Sequence, residues 1–354
     1  MNFSENFLYP AIGLLTAIII YSIVKVFNAL GFVDRPDGIR KTHKGDIAYG
    51  GGVALFLSCS VVFFILFPDY SLGSFGAYPE LSYIWVISVI ILLLGLWDDI
   101  EPLSPSIRII FQIFASWLVI ITTDLYVSDL GDLLGLGNIF LGDFGIPITI
   151  FMVVGMCNAF NMLDGMDGLV CLVLLVPASA LALLAYLNGS HGLIFLGSII
   201  LSIFLIFNLG LLGKKVKIFL GDSGSLWLGF ITAWFLICFS QIRDEESLLD
   251  PVTCLWLTII PLIDALSTFI NRISNKASIF SGDRSHLHHM LLDRGLKKWK
   301  VLFIFLVLSI FSSMAALVFS HLDINESKQF YGFLTIWFFY FLLFKYPLFS
   351  KSPE

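Results

Sequence analysis

Eleven apolar runs of near bilayer-spanning length organise this sequence, at about residues 8–30, 50–67, 82–97, 107–123, 147–162, 169–187, 192–212, 224–242, 252–270, 301–320 and 330–346. A hydrocarbon core about 30 Å thick takes roughly 20 helical residues, and lipid offers a backbone no hydrogen-bond partner outside its own helix. The chain therefore reads as an all-α polytopic membrane protein with about eleven transmembrane helices. Of its 354 residues 58% are hydrophobic and only 13% charged, with a mean hydropathy of +0.93, far from the roughly 45–50% apolar and 25% charged mix of soluble domains. The first run lacks a small-residue cleavage site and is expected to stay as a span. Cys59, Cys157, Cys171, Cys238 and Cys254 sit in or beside apolar runs without metal-site spacing and read as packing residues.

Charge sets the topology. Fifteen of the 20 lysines and arginines fall in one set of alternating loops, from Arg35 to Lys300, whereas the opposite set holds only Arg243 and Lys328. Positive loops stay in the cytoplasm, which places the N-terminus outside, the tail from Lys345 inside, and the acidic loops 68–81, 124–146 and 243–250 outside. Short apolar pieces and glycines at 129–145 suggest a small external hairpin. A net charge of -6 argues against nucleic acid. No repeat divides the chain, and residues 1–354 read as one domain.

The unusual residues fall in five segments on the cytoplasmic side, at about 31–49, 98–107, 162–168, 213–224 and 271–300. Asp98 and Asp99 close the third run in LGLWDDI. Adjacent carboxylates at a membrane boundary repel, desolvation adds to the cost, and at a helix C-terminus they oppose the macrodipole; a cation or a proton resolves this, and a solvated helix end is the alternative. In NAFNMLDGMDG, Asn161, Asp164 and Asp167 recur every three residues and would share one face of a helical or 3₁₀ turn. No basic residue adjoins them in sequence, so a metal ion or the donors of a bound base and ribose would be their partners. FLGDSGS places Asp222 among small residues at a span start, suited to a helix cap or to a hard-cation ligand with room for phosphate, just after Lys214, Lys215 and Lys217.

The loop GDRSHLHH gathers His286, His288 and His289 behind Arg284. With no cysteine nearby, donors to phosphate or sugar oxygens are a better fit than zinc ligands, and Arg284 can make bidentate contacts. The segment 34–52 adds basic residues and ends in the run Gly50–Gly52, able to bring a helix N-terminus against phosphate. No Walker, GxSxG or HExxH pattern occurs, and Asp264 is the one charge inside a run that could hint at an ion pathway. Phosphoryl chemistry at a membrane surface fits these ingredients.

In this order and between runs of these lengths, LGLWDDI, NAFNMLDGMDGL, FLGDSGS and DRSHLHH resemble the polyprenyl-phosphate N-acetylhexosamine-1-phosphate transferase family (glycosyltransferase 4 type), over about residues 33–294. The HxHH spelling is similar to the branch that makes undecaprenyl-diphospho-N-acetylglucosamine, with Ser285 and Leu287 as mild departures. The branch using UDP-N-acetylmuramoyl-pentapeptide arranges its histidines differently. The resemblance implies that polyprenyl phosphate attacks the β-phosphorus of a UDP-N-acetylhexosamine, giving a lipid diphosphosugar and UMP, the first lipid-linked step of a cell-surface polysaccharide.

It further implies Mg²⁺, with Mn²⁺ as a substitute, and an active site facing the cytoplasm from a bacterial cytoplasmic (inner) membrane. Asp222 would be the principal metal ligand, assisted by Asp99. Asp98, Asp99 and Asp164 would be the catalytic carboxylates, the first two positioning or deprotonating the lipid phosphate. Asn161, Asp164, Asp167, Phe219 and Lys44 would hold uridine, and Arg284, His286, His288 and His289 the sugar and diphosphate. The partners are then a UDP-N-acetylhexosamine, undecaprenyl phosphate and the bilayer, and a homodimer is compatible with all of this. Two readings compete: another UDP-sugar such as a 6-deoxy amino sugar, and a lipid-linked sugar transporter with the aspartates as coupling sites.

Overall fold

The computed structural model describes residues 5–35, 45–66, 80–187, 193–241, 249–276, 278 and 286–345. Helices occupy each of the eleven runs: α1 (Glu5–Leu30), α2 (Gly51–Ser60, prolonged by a π-helical Val61–Leu66), α3 (Glu80–Ile100), α4 (Pro105–Thr123), α5 (Gly145–Leu163), α6 (Leu169–Leu187), α7 (Leu193–Asn208), α8 (Gly221–Gln241), the pair α9 (Pro251–Leu257) and α10 (Ile259–Ser274), then α12 (Lys298–His321) and α13 (Glu326–Lys345). A short helix, α11 (Leu287–Asp293), precedes α12.

By length and composition, six helices among the described residues can cross a membrane, and seven if α9 and α10 count as one bent span. Gly51–Phe63, Leu169–Leu184 and Phe195–Asn208 are shorter apolar helices of 10–17 residues. Eleven apolar runs thus stand beside six or seven described helices of full spanning length, because hydropathy registers apolar length and not where a helix stops. The run at 252–270 shows the difference, since its two helices meet at 84°. Pro261, in the first turn of α10, has no N–H to offer the Leu257 carbonyl, and Thr258 leaves helical geometry with φ -121°.

Helix α8 is the axis of the bundle, with most of its side chains buried. Its neighbours reach it through glycine. A Cβ on Gly95 of α3 would collide with the Ser223 backbone, one on Gly52 of α2 with the Gly224 backbone, and one on Gly229 would come within 2.8 Å of Cys157 Cα on α5. In lipid, where apolar burial drives little association, such close backbone packing is what holds helices together. A tryptophan cluster fixes the same helices one turn deeper: Trp85 and Trp227 meet edge to face at 5.4 Å, and their indole N–H groups donate to Ser60 and Ser88 at 3.0 Å.

The all-helical expectation needs one amendment. Val33–Asp34 (β1) pairs antiparallel with Ile47–Ala48 (β2), and Ala48 bridges in parallel to Ile218. The glycines of segment 34–52 serve this junction: Gly51 and Gly52 donate to the Phe219 and Leu220 carbonyls at 3.1 Å, so their amides hold protein backbone where sequence reading offered them to phosphate. At the other end of the bundle, residues 128–141 form a hairpin-like pair, with Leu130 donating to Ile139 at 3.0 Å and Leu141 to Ser128 at 2.9 Å. The Gln241 side chain pins it by accepting from Ser128 N and donating to the Asp129 carbonyl.

Candidate active site

Everything converges on the N-terminus of α8. Residues 218–220 run extended beside β2, and Gly221 turns the chain into the helix at φ +72°, a conformation other residues rarely adopt. Asp99 caps that helix from a neighbouring one, its two oxygens accepting from Asp222 N at 2.7 Å and Ser223 N at 3.1 Å. The doublet thus divides its labour. Asp99 lies at the positive end of the α8 macrodipole, while Asp98 accepts from Leu103 N at 2.6 Å and from Arg108 at 2.9 Å. Each carboxylate has the partner that its place at the end of α3 demands.

The Asp222 side chain accepts a 2.6 Å hydrogen bond from Asn161 Nδ2, which also reaches Ser225 Oγ at 3.1 Å. The Asp98 carboxyl is an electrostatic neighbour of Asp222, and two such anions repel unless a proton or a cation resolves the charge. Asp164 ends α5 as its C-cap. Burial, and then the charges of Asp222, Asp99 and Asp167, push its carboxyl well above the usual carboxylate range. A recess of about 290 Å³ opens beside Asp99, between Phe27, Phe32, Tyr49, Leu96 and Ile100.

Asn208 staples two of the segments, accepting from Gly168 N at 2.6 Å and donating to the Ile218 carbonyl at 2.8 Å. Beside it Asp167 pairs with Lys217 at 2.8 Å and lies 3.7 Å from Lys298, and the Lys217 ammonium sits 5.0 Å from the centre of the Phe219 ring. The histidines close the far side. His288 is fully buried and packs so tightly on Gly165 that any side chain there would collide with its Nε2. His289 lies 4.1 Å from it, ring centre to ring centre, and His286 is parallel to it at 5.8 Å. His286 is itself buried, with Nδ1 at 2.8 Å from Asp264.

Asp98, Asp99, Asn161, Asp164 and Asp222 thus stand together, Asp167 and Phe219 share Lys217, and the three histidines flank Asp164 through Gly165. Lys44 and Arg284 lie outside the described residues. One expectation is corrected: these carboxylates do have cationic neighbours, since Asp98 holds Arg108 and Asp167 holds Lys217. Neither pairing was visible in the sequence, because the pairs are 10 and 50 residues apart and local spacing reveals neither. Asn208 and Tyr340 were missed for the same reason. Asp264 was visible as the lone carboxylate of an apolar run, a signal that marks a partnered group as well as an ion path.

A model of the family described as glycosyl transferase family 4 matches residues 81–240, a stretch that contains Asp98, Asp99, Asn161, Asp164 and Asp222. Undecaprenyl-phosphate alpha-N-acetylglucosaminyl 1-phosphate transferase of Escherichia coli O157:H7 is 33% identical over 288 residues, 80% of this chain and 76% of that protein. The protein of the same name from Yersinia pestis is 34% identical over 274 residues, 77% of this chain and 72% of its own. That of Haemophilus influenzae is 32% identical over 322 residues, covering 88% and 86%. Likeness at this level over most of both chains shows that the chain belongs to glycosyl transferase family 4 and is a multi-pass membrane sugar-phosphate transferase.

Proposed function

We propose that the enzyme transfers N-acetylglucosamine 1-phosphate from UDP-N-acetylglucosamine to undecaprenyl phosphate, giving undecaprenyl-diphospho-N-acetylglucosamine and UMP. A lipid-phosphate oxygen attacks the β-phosphorus, the bond from that phosphorus to the oxygen bridging to the α-phosphorus breaks, and the electron pair leaves on UMP. The observation that carries this reading is the cluster of Asp98, Asp99, Asp164 and Asp222 at one helix N-terminus, where Asp99 accepts from the Asp222 and Ser223 amides and Asn161 holds the Asp222 side chain. Two anionic substrates meet here, and a site this acidic accepts them only with a cation.

Among the described residues no three His, Cys, Asp or Glu side chains already form a closed metal cluster. The donor set nevertheless fits Mg²⁺, which takes one or two carboxylates and completes its octahedron from phosphate and water. Asp222 would hold it, with Asp98 or Asp99 beside it, and Mn²⁺ would substitute. When bound, the ion would screen the diphosphate and polarise the β-phosphorus. Asp98, kept in place by Arg108, orients the lipid phosphate, and the recess beside Asp99 supports room for it. Asp167 and the Phe219 ring, set by Lys217, would receive ribose and uracil, while the histidines contact sugar and diphosphate. The eleven-crossing arrangement, with N-terminus out and this site facing the cytoplasm, rests on the distribution of Lys and Arg and brings the site to the compartment of UDP-sugars. Family membership sets the transporter reading aside.

Donor choice is tested by supplying purified enzyme with undecaprenyl phosphate and, in parallel, UDP-N-acetylglucosamine, UDP-N-acetylgalactosamine, a UDP-6-deoxy amino sugar and UDP-N-acetylmuramoyl-pentapeptide. The highest kcat/KM is expected with the first; a tenfold preference for any other replaces the sugar while keeping the reaction.

A further inference from the structure

Asp264 is buried on the apolar helix α10, where an ionised side chain is costly unless it is fully partnered. It is partnered three ways. Oδ2 lies 2.8 Å from His286 Nδ1, while Oδ1 accepts from Leu287 N at 3.0 Å and from Tyr340 OH at 2.5 Å. Leu287 N is the first amide of α11, for which no cap is supplied by the N-cap residue His286 itself. Thr268, one turn beyond Asp264, approaches the same His286 nitrogen at 3.4 Å.

We infer that Asp264, braced by Tyr340 from the last helix, is a positioning residue that fixes the tautomer of His286 and the placement of the whole histidine helix. This inference rests on the proposed reaction at the same site. A carboxylate only accepts, so the proton of His286 is held on Nδ1 and Nε2 is left as the nitrogen a ligand can meet. The same carboxylate anchors the start of α11. One residue on, that anchoring sets His288 against Gly165 beside Asp164. A carboxylate placed only for stability would be replaceable by a packed apolar group; one that dictates a histidine tautomer is not.

The test is a double-mutant cycle on the purified enzyme, with kcat/KM for UDP-N-acetylglucosamine and inhibition by UMP as readouts. Asp264→Asn keeps the shape and an acceptor for Leu287 and Tyr340 but presents the imidazole with an amide, and should lower kcat/KM about 10- to 100-fold. His286→Ala should lower it comparably. The pair combined should be no worse than His286→Ala alone, because Asp264 acts through His286. UMP inhibition, which does not involve the histidines, should stay within about twofold. Tyr340→Phe removes one hydroxyl and should cost about 3- to 10-fold; should Asp264→Asn fail to fold, Tyr340→Phe takes its place in the cycle. Multiplicative losses in the double variant, or full activity in Asp264→Asn, would overturn the inference. A wild type that releases no UMP would instead sink the reaction itself, and the inference with it.

Discussion

At the scale of single residues, the account turns on how neighbouring carboxylates differ. Asp98 and Asp99 are adjacent yet answer to different partners, a guanidinium and a helix terminus, and Asp222 accepts from the neutral Asn161 amide. Asp222→Asn keeps the size and loses the charge a hard cation needs. Turnover is predicted to fall at least tenfold, about 1.4 kcal/mol of transition-state stabilisation, and to stay low at saturating Mg²⁺. An activity assay retaining more than about a tenth of wild type would remove Asp222 from the metal role. Asp164 carries a pH signature. Its folded-state pKa is raised, so the stability it contributes is fully present below the ordinary carboxylate range and is lost as pH rises through the raised value. Without divalent ions, the melting temperature should therefore fall as pH rises above the ordinary carboxylate range more steeply than in Asp164→Asn, and Mg²⁺ should restore more of it at the upper end. Parallel slopes in the two proteins would contradict the assignment.

At the scale of elements, glycine decides which helices meet. Gly95 lets α3 lie on the first turn of α8, so Gly95→Ala forces the Asp98–Asp99 turn away from Asp222. Overpacking of this kind costs about 1–3 kcal/mol, and the variant should lose melting temperature and activity together. Gly155, also helical but with nothing near its Cβ position, should accept alanine with no loss in either; equal behaviour of the two variants would refute the packing argument. The helices were largely legible in the sequence, because apolar length is a local property: run 169–187 is α6 and run 107–123 is α4 to within two residues. Ser104 and Pro105 mark the start of α4 as a cap and a first-turn proline do elsewhere. The 84° turn at Thr258 was hidden inside one apolar run. The two-residue strands β1 and β2 were hidden because two residues show no periodicity of their own, and the bridge from Ala48 to Ile218 links positions about 170 residues apart.

At the scale of the whole molecule, the segments that carry chemistry were recognisable one by one, but their pairings come from tertiary contact. Asn161 with Asp222, Asp167 with Lys217 and Asp264 with Tyr340 are 61, 50 and 76 residues apart. The orientation built on the charge count has its own test. Cysteines introduced at Lys297 and at Leu136, both exposed, should be labelled by a membrane-impermeant maleimide only from the cytoplasmic and only from the outer side respectively. Labelling of Lys297→Cys from outside would put the site in the wrong compartment for UDP-sugars. The central claim is chemical, and one measurement addresses it most directly: purified enzyme given undecaprenyl phosphate, UDP-N-acetylglucosamine and Mg²⁺, with UMP and the lipid product quantified together. The account predicts one UMP for each lipid diphosphosugar formed, stopped by EDTA and absent with Asp222→Asn. UDP in place of UMP, or product formation that survives removal of divalent ions, would contradict it.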